Sequence, residues 1–246
     1  MHIAVSLSPG TRARDIAQLG DALGCVVVID VLRASTVICT ALANGARDVL
    51  PFADVERARM QRTANGKDAL LCGEREGVKI AGFDLGNSPS EYTSAVVANK
   101  SLYYASTNGS VALAQAPVGV ETIVAGFVNL TAAAEHVDHT GLATMIVCSG
   151  REGGFSLEDA VCAGALIARL WEVSEHAEPA TDSAYAAQAL WDGYKRDPAM
   201  SLWQSEHGKY LISLGFGSDL ATCAEVDSVP VVPVVRDGRL VQSDPA

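Results

Sequence analysis

Short runs of β-branched residues recur along the chain, each followed by a polar turn and then by an alanine-rich stretch whose apolar positions repeat at helical spacing. Strands are predicted at residues 3–7, 25–29, 49–52, 69–72, 101–105, 122–125 and 144–148. Helices are predicted at 34–43, 55–64, 89–97, 111–115, 131–137 and, longest, 157–171. This alternation marks strand and crossover-helix units, so the expected fold class is α/β with a largely parallel sheet. From about residue 179 the pattern turns more polar, stays helical through 195, and is helical again around 208–213. It closes with an apolar run at 229–235, the pair Asp237-Gly238 and a second run at 239–241, which reads as a hairpin with a type I′ turn. No linker, low-complexity tract or repeat divides the chain. It is read as a single domain over 1–246, with 179–246 a C-terminal elaboration of helices and a hairpin.

Composition changes the picture mainly by exclusion. With 246 residues, 49% of them hydrophobic, the chain can bury a full core. No apolar run approaches the roughly 18 residues that span a bilayer. Met1-His2-Ile3-Ala4-Val5 lacks the basic-then-apolar layout of a secretory signal, so a cytoplasmic protein without a membrane partner is expected. Cys25, Cys39, Cys72, Cys148, Cys162 and Cys223 form no C-x-x-C pair and several sit in apolar runs, which argues against a zinc ribbon or a disulfide frame. A formal charge of -11 argues against nucleic acid as a partner, because that binding relies on a basic face. An apolar, acidic domain of this kind favours a homodimer.

The unusual residues stand at the turns. Val26 to Ile29 run into Asp30-Val31-Leu32-Arg33-Ala34-Ser35-Thr36, Leu102 to Ala105 into Ser106-Thr107-Asn108-Gly109-Ser110, and Met145 to Cys148 into Ser149-Gly150-Arg151-Glu152. Gly73-Glu74-Arg75 follows a strand in the same way, with Gly82-Phe83-Asp84-Leu85-Gly86-Asn87-Ser88-Pro89 just beyond. In a parallel α/β sheet such loops share the rim at the carboxyl ends of the strands, where helix N-termini present free N–H groups. Carboxylate and amide oxygens suit Mg²⁺ or Mn²⁺, and arginine forks suit phosphate or sulfonate. Together they are what a metal-assisted reaction on a phosphate ester requires. Each element also has a plainer reading. Asp30 and the segment 106–109 fit helix caps, and Ser156-Leu157-Glu158-Asp159 fits a capping arrangement that makes Glu158 structural and leaves Asp159 open. Of the five histidines only His207, in Ser205-Glu206-His207-Gly208, is a candidate for the site.

Several phosphatase chemistries are excluded by spacing. The position six after Cys72 is Val78 and six after Cys148 is Gly154, so neither has the arginine of a protein-tyrosine-phosphatase loop. Leu32 stands where a haloacid-dehalogenase enzyme carries its second aspartate, and neither a phosphate-binding G-x-x-x-x-G-K-[ST] loop nor G-x-G-x-x-G is present.

Val28 to Thr36, Gly73-Glu74-Arg75, Gly82 to Pro89 with Glu91-Tyr92, Thr107-Asn108-Gly109, Phe155 to Asp159 with Cys162-Ala163-Gly164, and His207-Gly208 with Leu214-Gly215-Phe216 together resemble the 2-phosphosulfolactate phosphatases, in that family's order and nearly end to end. Where family members often have Thr-Thr-Asn-Gly-Thr this chain has Ser106 to Ser110, and where they have Cys-Ala-Gly it has Cys148-Ser149-Gly150. The resemblance implies a three-layer α/β/α fold with a largely parallel or mixed sheet. It also implies Mg²⁺-dependent hydrolysis of phosphosulfolactate to sulfolactate and phosphate, a step of coenzyme M synthesis in methanogenic archaea. The expected partner is therefore a small anionic phosphorylated metabolite. Asp30, Glu74 and Asp84 are expected to hold Mg²⁺, with Mn²⁺ the alternative. Asp30, Arg33, Glu74 and Arg75 are the expected catalytic residues, and Arg33, Arg75, Thr107, Asn108, Gly109 and Arg151 the expected substrate-binding ones. Asp30 as a covalent nucleophile is the mechanistic rival. Two other readings stay open: a non-catalytic sensor of a phosphorylated or sulfonated metabolite, and an isomerase or lyase on related phosphohydroxyacids using Glu74 or Asp84 as base.

Overall fold

Each β-branched run becomes a strand because helices on both sides of a sheet can bury its alternating side chains. The computed structural model describes residues 1–65, 68–114 and 119–243. Its strands are β1 (His2–Ser6), β2 (Leu23–Ile29), β3 (Asp48–Phe52), β4 (Ala69–Arg75), β5 (Val78–Lys79), β6 (Ser101–Ala105), β7 (Glu121–Ala125), β8 (Ala143–Cys148), β9 (Glu178–Pro179), β10 (Pro233–Arg236) and β11 (Arg239–Gln242). They form one sheet in the order β5-β4-β6-β3-β11-β10-β7-β2-β8-β1-β9. All seven strands expected before the hairpin are present. Neighbours pair in parallel except at β4–β5 and around the hairpin β10–β11, which runs antiparallel to β7 through Val234↔Ile123 and to β3 through Leu240↔Val49. Asp237 and Gly238 have φ of 51° and 73°, as a type I′ turn demands. The hairpin expected at the chain's end thus lies inside the sheet and makes it mixed. Its first strand begins only at Pro233, after a stretch interrupted by Pro230, which cannot donate to a ladder.

The helices are α1 (Arg12–Leu19), α2 (Ala34–Ala43), α3 (Val55–Asn65), α4 (Ser94–Val97), α5 (Gly109–Ala114), α6 (Leu130–Thr140), α7 (Leu157–Val173), α8 (Asp182–Tyr194), α9 (Ala199–Gln204), α10 (Glu206–Ser213) and α11 (Gly217–Ala224). The helix expected over 89–97 is instead a 3-10 turn at Pro89–Glu91 followed by α4. Tyr92 between them is fully buried, its hydroxyl donating to the Gly86 carbonyl and its carbonyl accepting from Asn44 Nδ2, and this anchoring breaks the helical run. Gln115, the expected end of another helix, lies outside the described residues. Elements not foreseen are α1, α9 and α11 and the two-residue strands β5 and β9, all short.

Strand alternation sorts the core into two faces. Val27, Ile29, Ile123 and Ile146 pack with α6, α7 and α8, while Val26, Val28, Val124 and Val147 pack with α2 and α5, giving three α/β/α layers. A smaller cluster joins Ala58 of α3 to Leu71, Phe83 and Tyr103. Helix α2 is apolar on nearly every side and has eight buried residues, as such a sequence must when it is stable. All six cysteines are buried, in keeping with their apolar surroundings. Among the described residues no helix is long and apolar enough to cross a membrane.

Helices α7 and α8 approach closely, and a Cβ on Gly164 would stand 2.1 Å from the Ala187 carbonyl oxygen. Gly164→Ala is expected to lower stability by about 1–3 kcal/mol through overpacking, read by urea denaturation. Gly193→Ala on the exposed side of α8, where an added Cβ meets nothing within 4 Å, should be neutral or stabilising by up to about 1 kcal/mol. Equal losses from the two substitutions would refute the packing account.

Candidate active site

Asp30 stands where β2 ends and α2 begins. Its N–H donates to Ser35 Oγ at 2.9 Å, its carbonyl accepts the Ser35 N–H at 2.8 Å, and its carboxylate accepts the Ala34 N–H. The N-cap of α2 is Arg33 and makes no side-chain capping bond, so Asp30 stands outside the helix rather than capping it, and it lines an open cleft at the carboxyl rim. The turn between β6 and α5 comes very near it. A Cβ on Gly109 would lie 2.8 Å from Asp30 Oδ2 and 2.7 Å from Ala34 Cβ, so only glycine permits the approach. Burial is the main cause that pushes the Asp30 carboxyl up to about 7; the charges of Glu74 and Glu158 act the same way, against His207 and the Ala34 N–H.

Glu74, also buried and lining the cleft, joins two loops. Its Oε1 accepts the Thr107 N–H at 2.8 Å, and its Oε2 accepts the Gly77 N–H at 2.9 Å and the Thr107 hydroxyl at 3.3 Å. The neighbouring Gly73 has φ 134° because a Cβ there would meet the Ala105 carbonyl of the adjacent strand at 1.8 Å. Thr107 therefore orients Glu74, while Asn108 and Ser106 line the cleft beside it. Ser106 and Ser110 exchange hydrogen bonds between hydroxyl and backbone, so the cap reading of this turn holds as well. Asn87 completes this wall and is held by the Tyr104 hydroxyl.

Arg33 and Arg151 are the cations of the cleft. Arg33 is 2% exposed, donates to Asp219 Oδ2 and to the Gly77 carbonyl, both at 2.7 Å, and lies 4.4 Å over the Phe216 ring. Asp219 Oδ1 in turn accepts the Ser88 hydroxyl at 2.6 Å. Arg151 is held over the Tyr210 ring at 4.9 Å, and the Tyr210 hydroxyl donates to the Glu76 carbonyl at 3.0 Å. Two expected residues lie elsewhere. Arg75 directs its guanidinium to the carbonyls of Glu74 and of Ala53 just past the end of β3, and it does not line the cleft. Asp84 is exposed, and its Oδ2 accepts the Leu71 N–H at 2.8 Å, where it extends the pairing beyond β4. The expected grouping of Asp30, Glu74 and Asp84 is thus corrected to Asp30 and Glu74, and Arg75 is removed from the cleft.

The structure brings His207, the one histidine singled out in the sequence, into the site, and it gives Glu158 and Asp159 roles that the sequence reading had taken as structural or left open. His207 lines the cleft, with Nδ1 3.2 Å from Glu158 Oε1. Ser156, at the start of α7, makes no capping hydrogen bond, so Glu158 is a partner of His207 and not half of a capping box. Burial works to raise the Glu158 carboxyl, but the hydrogen bond and charge of His207 outweigh it and hold it below its ordinary value. Asp159 accepts the Val31 N–H at 2.9 Å and the Gly150 N–H at 3.0 Å, tying the loop after β2 to the loop after β8. Burial first, then the charges of Glu158 and Asp30, push its carboxyl well up. A sequence signal for His207 did exist in the adjacent Gly208, whose Cβ would stand 1.8 Å from the Leu202 carbonyl oxygen. Nothing comparable marked Asp219 or Tyr210.

Among the described residues no three His, Cys, Asp or Glu side chains are grouped as a protein metal cage. What the cleft offers fits a cation held more sparely: Asp30, with Glu74 beside it, completed by substrate oxygens and water in the manner of Mg²⁺. The observation behind that fit is the donor set, since Asp30 and Glu74 are buried carboxylates lining one cleft and a divalent cation relieves such crowding.

The sequence profile described as "2-phosphosulpholactate phosphatase" matches residues 12–238. A protein of Parasynechococcus marenigrum (strain WH8102) named "Probable 2-phosphosulfolactate phosphatase" is 43% identical over 220 residues, covering 88% of this chain and 91% of that one. One of the same name from Prochlorococcus marinus (strain MIT 9313) is 43% identical over 238 residues, covering 94% and 97%. Another, from Pseudothermotoga lettingae, is 39% identical over 221 residues, covering 89% and 92%. With that profile running through every loop of the cleft, the chain belongs to the 2-phosphosulfolactate phosphatase family.

Proposed function

We propose that this protein hydrolyses 2-phospho-3-sulfolactate to 3-sulfolactate and phosphate with Mg²⁺ as cofactor. The observation that carries the reading is the meeting of Asp30, Glu74, Arg33 and Arg151 in one cleft, two acids for a cation and two guanidinium groups for an anionic ester. A divalent cation accords with the phosphatase family, and Mg²⁺ is the ion usually held by one or two carboxylates together with substrate phosphate. When bound, it draws charge from the phosphate oxygens and favours deprotonation of the attacking water. Arg33 and Arg151 neutralise the phosphate and the second acid group, and Asn87, Ser106 and Asn108 orient the oxygens. Thr107 acts through Glu74, and the close pass of Gly109 keeps the anion site narrow beside Asp30.

Three outcomes test this. Inorganic phosphate should be released from 2-phosphosulfolactate with Mg²⁺, EDTA should abolish the release and added Mg²⁺ restore it; rearrangement or binding without phosphate release would favour the isomerase or sensor readings. Arg151→Gln should lower kcat/KM by roughly 10–100-fold through loss of a charge-assisted contact, while Arg75→Gln and Asp84→Asn stay within a small factor of the unaltered protein. Asp30→Asn should abolish turnover and yet stabilise the metal-free protein. The folded-state carboxyl titrates at about 7, above the ordinary aspartate value of about 3.9, so the stability this group contributes is present below about pH 4 and lost as pH rises through 7. The substitution should therefore stabilise by on the order of 2–4 kcal/mol at pH 8 and make no difference near pH 4, as read by urea denaturation at both values.

A further inference from the structure

Hydrolysis of an alkyl phosphate leaves an alkoxide-like oxygen that must be protonated for the reaction to be fast. The two arginines of the cleft cannot supply that proton, because a guanidinium does not give one up. Tyr210 already donates its hydroxyl hydrogen to the Glu76 carbonyl while its ring covers Arg151. Asp30 and Glu74 belong to the phosphorus side of the ester, with the cation. His207 is differently placed. It lines the Asp30 cleft and also an adjoining cavity of about 440 Å³ walled by Phe155, Gln204 and Glu206, and only His207 and Arg151 are common to both walls.

The ester oxygen is the atom that joins phosphate to hydroxyacid. With the phosphate beside Asp30 and the acid in the adjoining cavity, that oxygen falls at the wall the two spaces share. We propose that His207, oriented by Glu158, is the general acid that protonates the leaving oxygen of the ester. This rests on the phosphatase reading and goes beyond it by naming the proton donor and the side on which the hydroxyacid leaves.

The support around the ring is that of a positioned donor. Nδ1 faces Glu158 Oε1 at 3.2 Å, which turns Nε2 the opposite way. Glu158 is 1% exposed, and its depressed carboxyl keeps it ionised against the ring. The backbone is equally constrained: Ser205 Oγ accepts the Gly208 N–H at 2.9 Å, and Gly208 presses on the Leu202 carbonyl. In the step, the bond from phosphorus to the ester oxygen breaks and its electron pair stays on that oxygen. The proton on Nε2 moves to the oxygen and makes the product hydroxyl. Water supplies the new oxygen on phosphorus and releases one proton to solvent, and the imidazole regains one from solvent, so the balance is one water consumed per ester.

The test compares the oxygen ester of the substrate with its bridging-sulfur analogue, in which a thiolate leaves. A thiol has a pKa of about 8.5, so the sulfur leaving group needs no proton donor. With Mg²⁺ present, His207→Asn should lose roughly 10²–10³-fold in kcat on the oxygen ester and less than about tenfold on the sulfur ester. Glu158→Gln should show the same selectivity with smaller losses. Equal losses on both esters in His207→Asn overturn the proposal, as does near-normal turnover of the oxygen ester. Thermal melts report whether each variant folds; if His207→Asn does not, His207→Gln and Glu158→Gln carry the same comparison. Release of phosphate from neither ester by the unaltered protein removes the phosphatase reading itself, an outcome separate from any difference among the variants.

Discussion

Four carboxylates are buried at one rim of the sheet, and the way each is satisfied decides what the rest of the molecule can do. Asp159 has both oxygens filled by backbone N–H groups and acts as a tie between two loops. Glu74 is filled almost as completely by Thr107 and Gly77 and keeps one edge on the cleft. Glu158 faces an imidazole. Asp30 accepts a backbone N–H while burial and the charges of Glu74 and Glu158 raise its carboxyl. Buried acids in unequal environments are how one fold separates structural from chemical carboxylates, and here Asp30 and Glu74 face the cleft while Asp159 ties two loops behind it.

The cleft is closed from both ends of the chain. Loops after β2, β4, β6 and β8 provide one wall, and the helices after residue 198 provide the other through His207, Tyr210, Phe216 and Asp219. The Arg33–Asp219 pair joins the two walls in a buried setting. Removing either partner would leave an uncompensated charge in the interior, so the pair constrains how the C-terminal helices dock whatever its net contribution to stability. The hairpin between β3 and β7 has a similar effect at the level of the sheet, because it joins the β4–β6–β3 group to the β7–β2–β8 group whose loops must meet.

A protein with a formal charge of -11 that takes a multiply charged anion needs strong local compensation. Arg33 is fixed by the Phe216 ring, the Gly77 carbonyl and its ion pair with Asp219, and Arg151 by the Tyr210 ring and Glu152, so both guanidinium planes are oriented although carboxylates offset part of their charge. A cation beside Asp30 would supply the remaining positive charge and relieve the crowding of the acids. On the proposed reading, the same crowding that weakens the empty fold would favour a metal and its anionic substrate.

Local chemistry was legible in the letters. β-branched runs specify strands wherever helices can cover both faces, the largely apolar stretch 34–43 specifies a buried helix, and Asp237-Gly238 serves a tight turn. Asp30, Arg33, Glu74, Asn108 and Arg151 could be assigned to one rim because strand ends in a parallel sheet share a side. The failures come from residues whose roles depend on long-range neighbours. Arg75 and Asp84 have the right chemistry at the right turn, yet the Ala53 carbonyl beyond β3 claims one and the Leu71 N–H within β4 the other. The split of the helix over 89–97 follows from the burial of Tyr92, which its own segment does not announce. His207 and Asp219 lie 49 and 186 residues from the partners that define them, distances over which periodicity and caps carry no information. Sequence by itself determined which segments could be strands, helices and anion-binding turns, since those choices depend on φ, burial pattern and side-chain chemistry within a few residues. Which acids and cations meet was decided only by the packing of the C-terminal helices against the rim, because electrostatic partnership depends on distance in space.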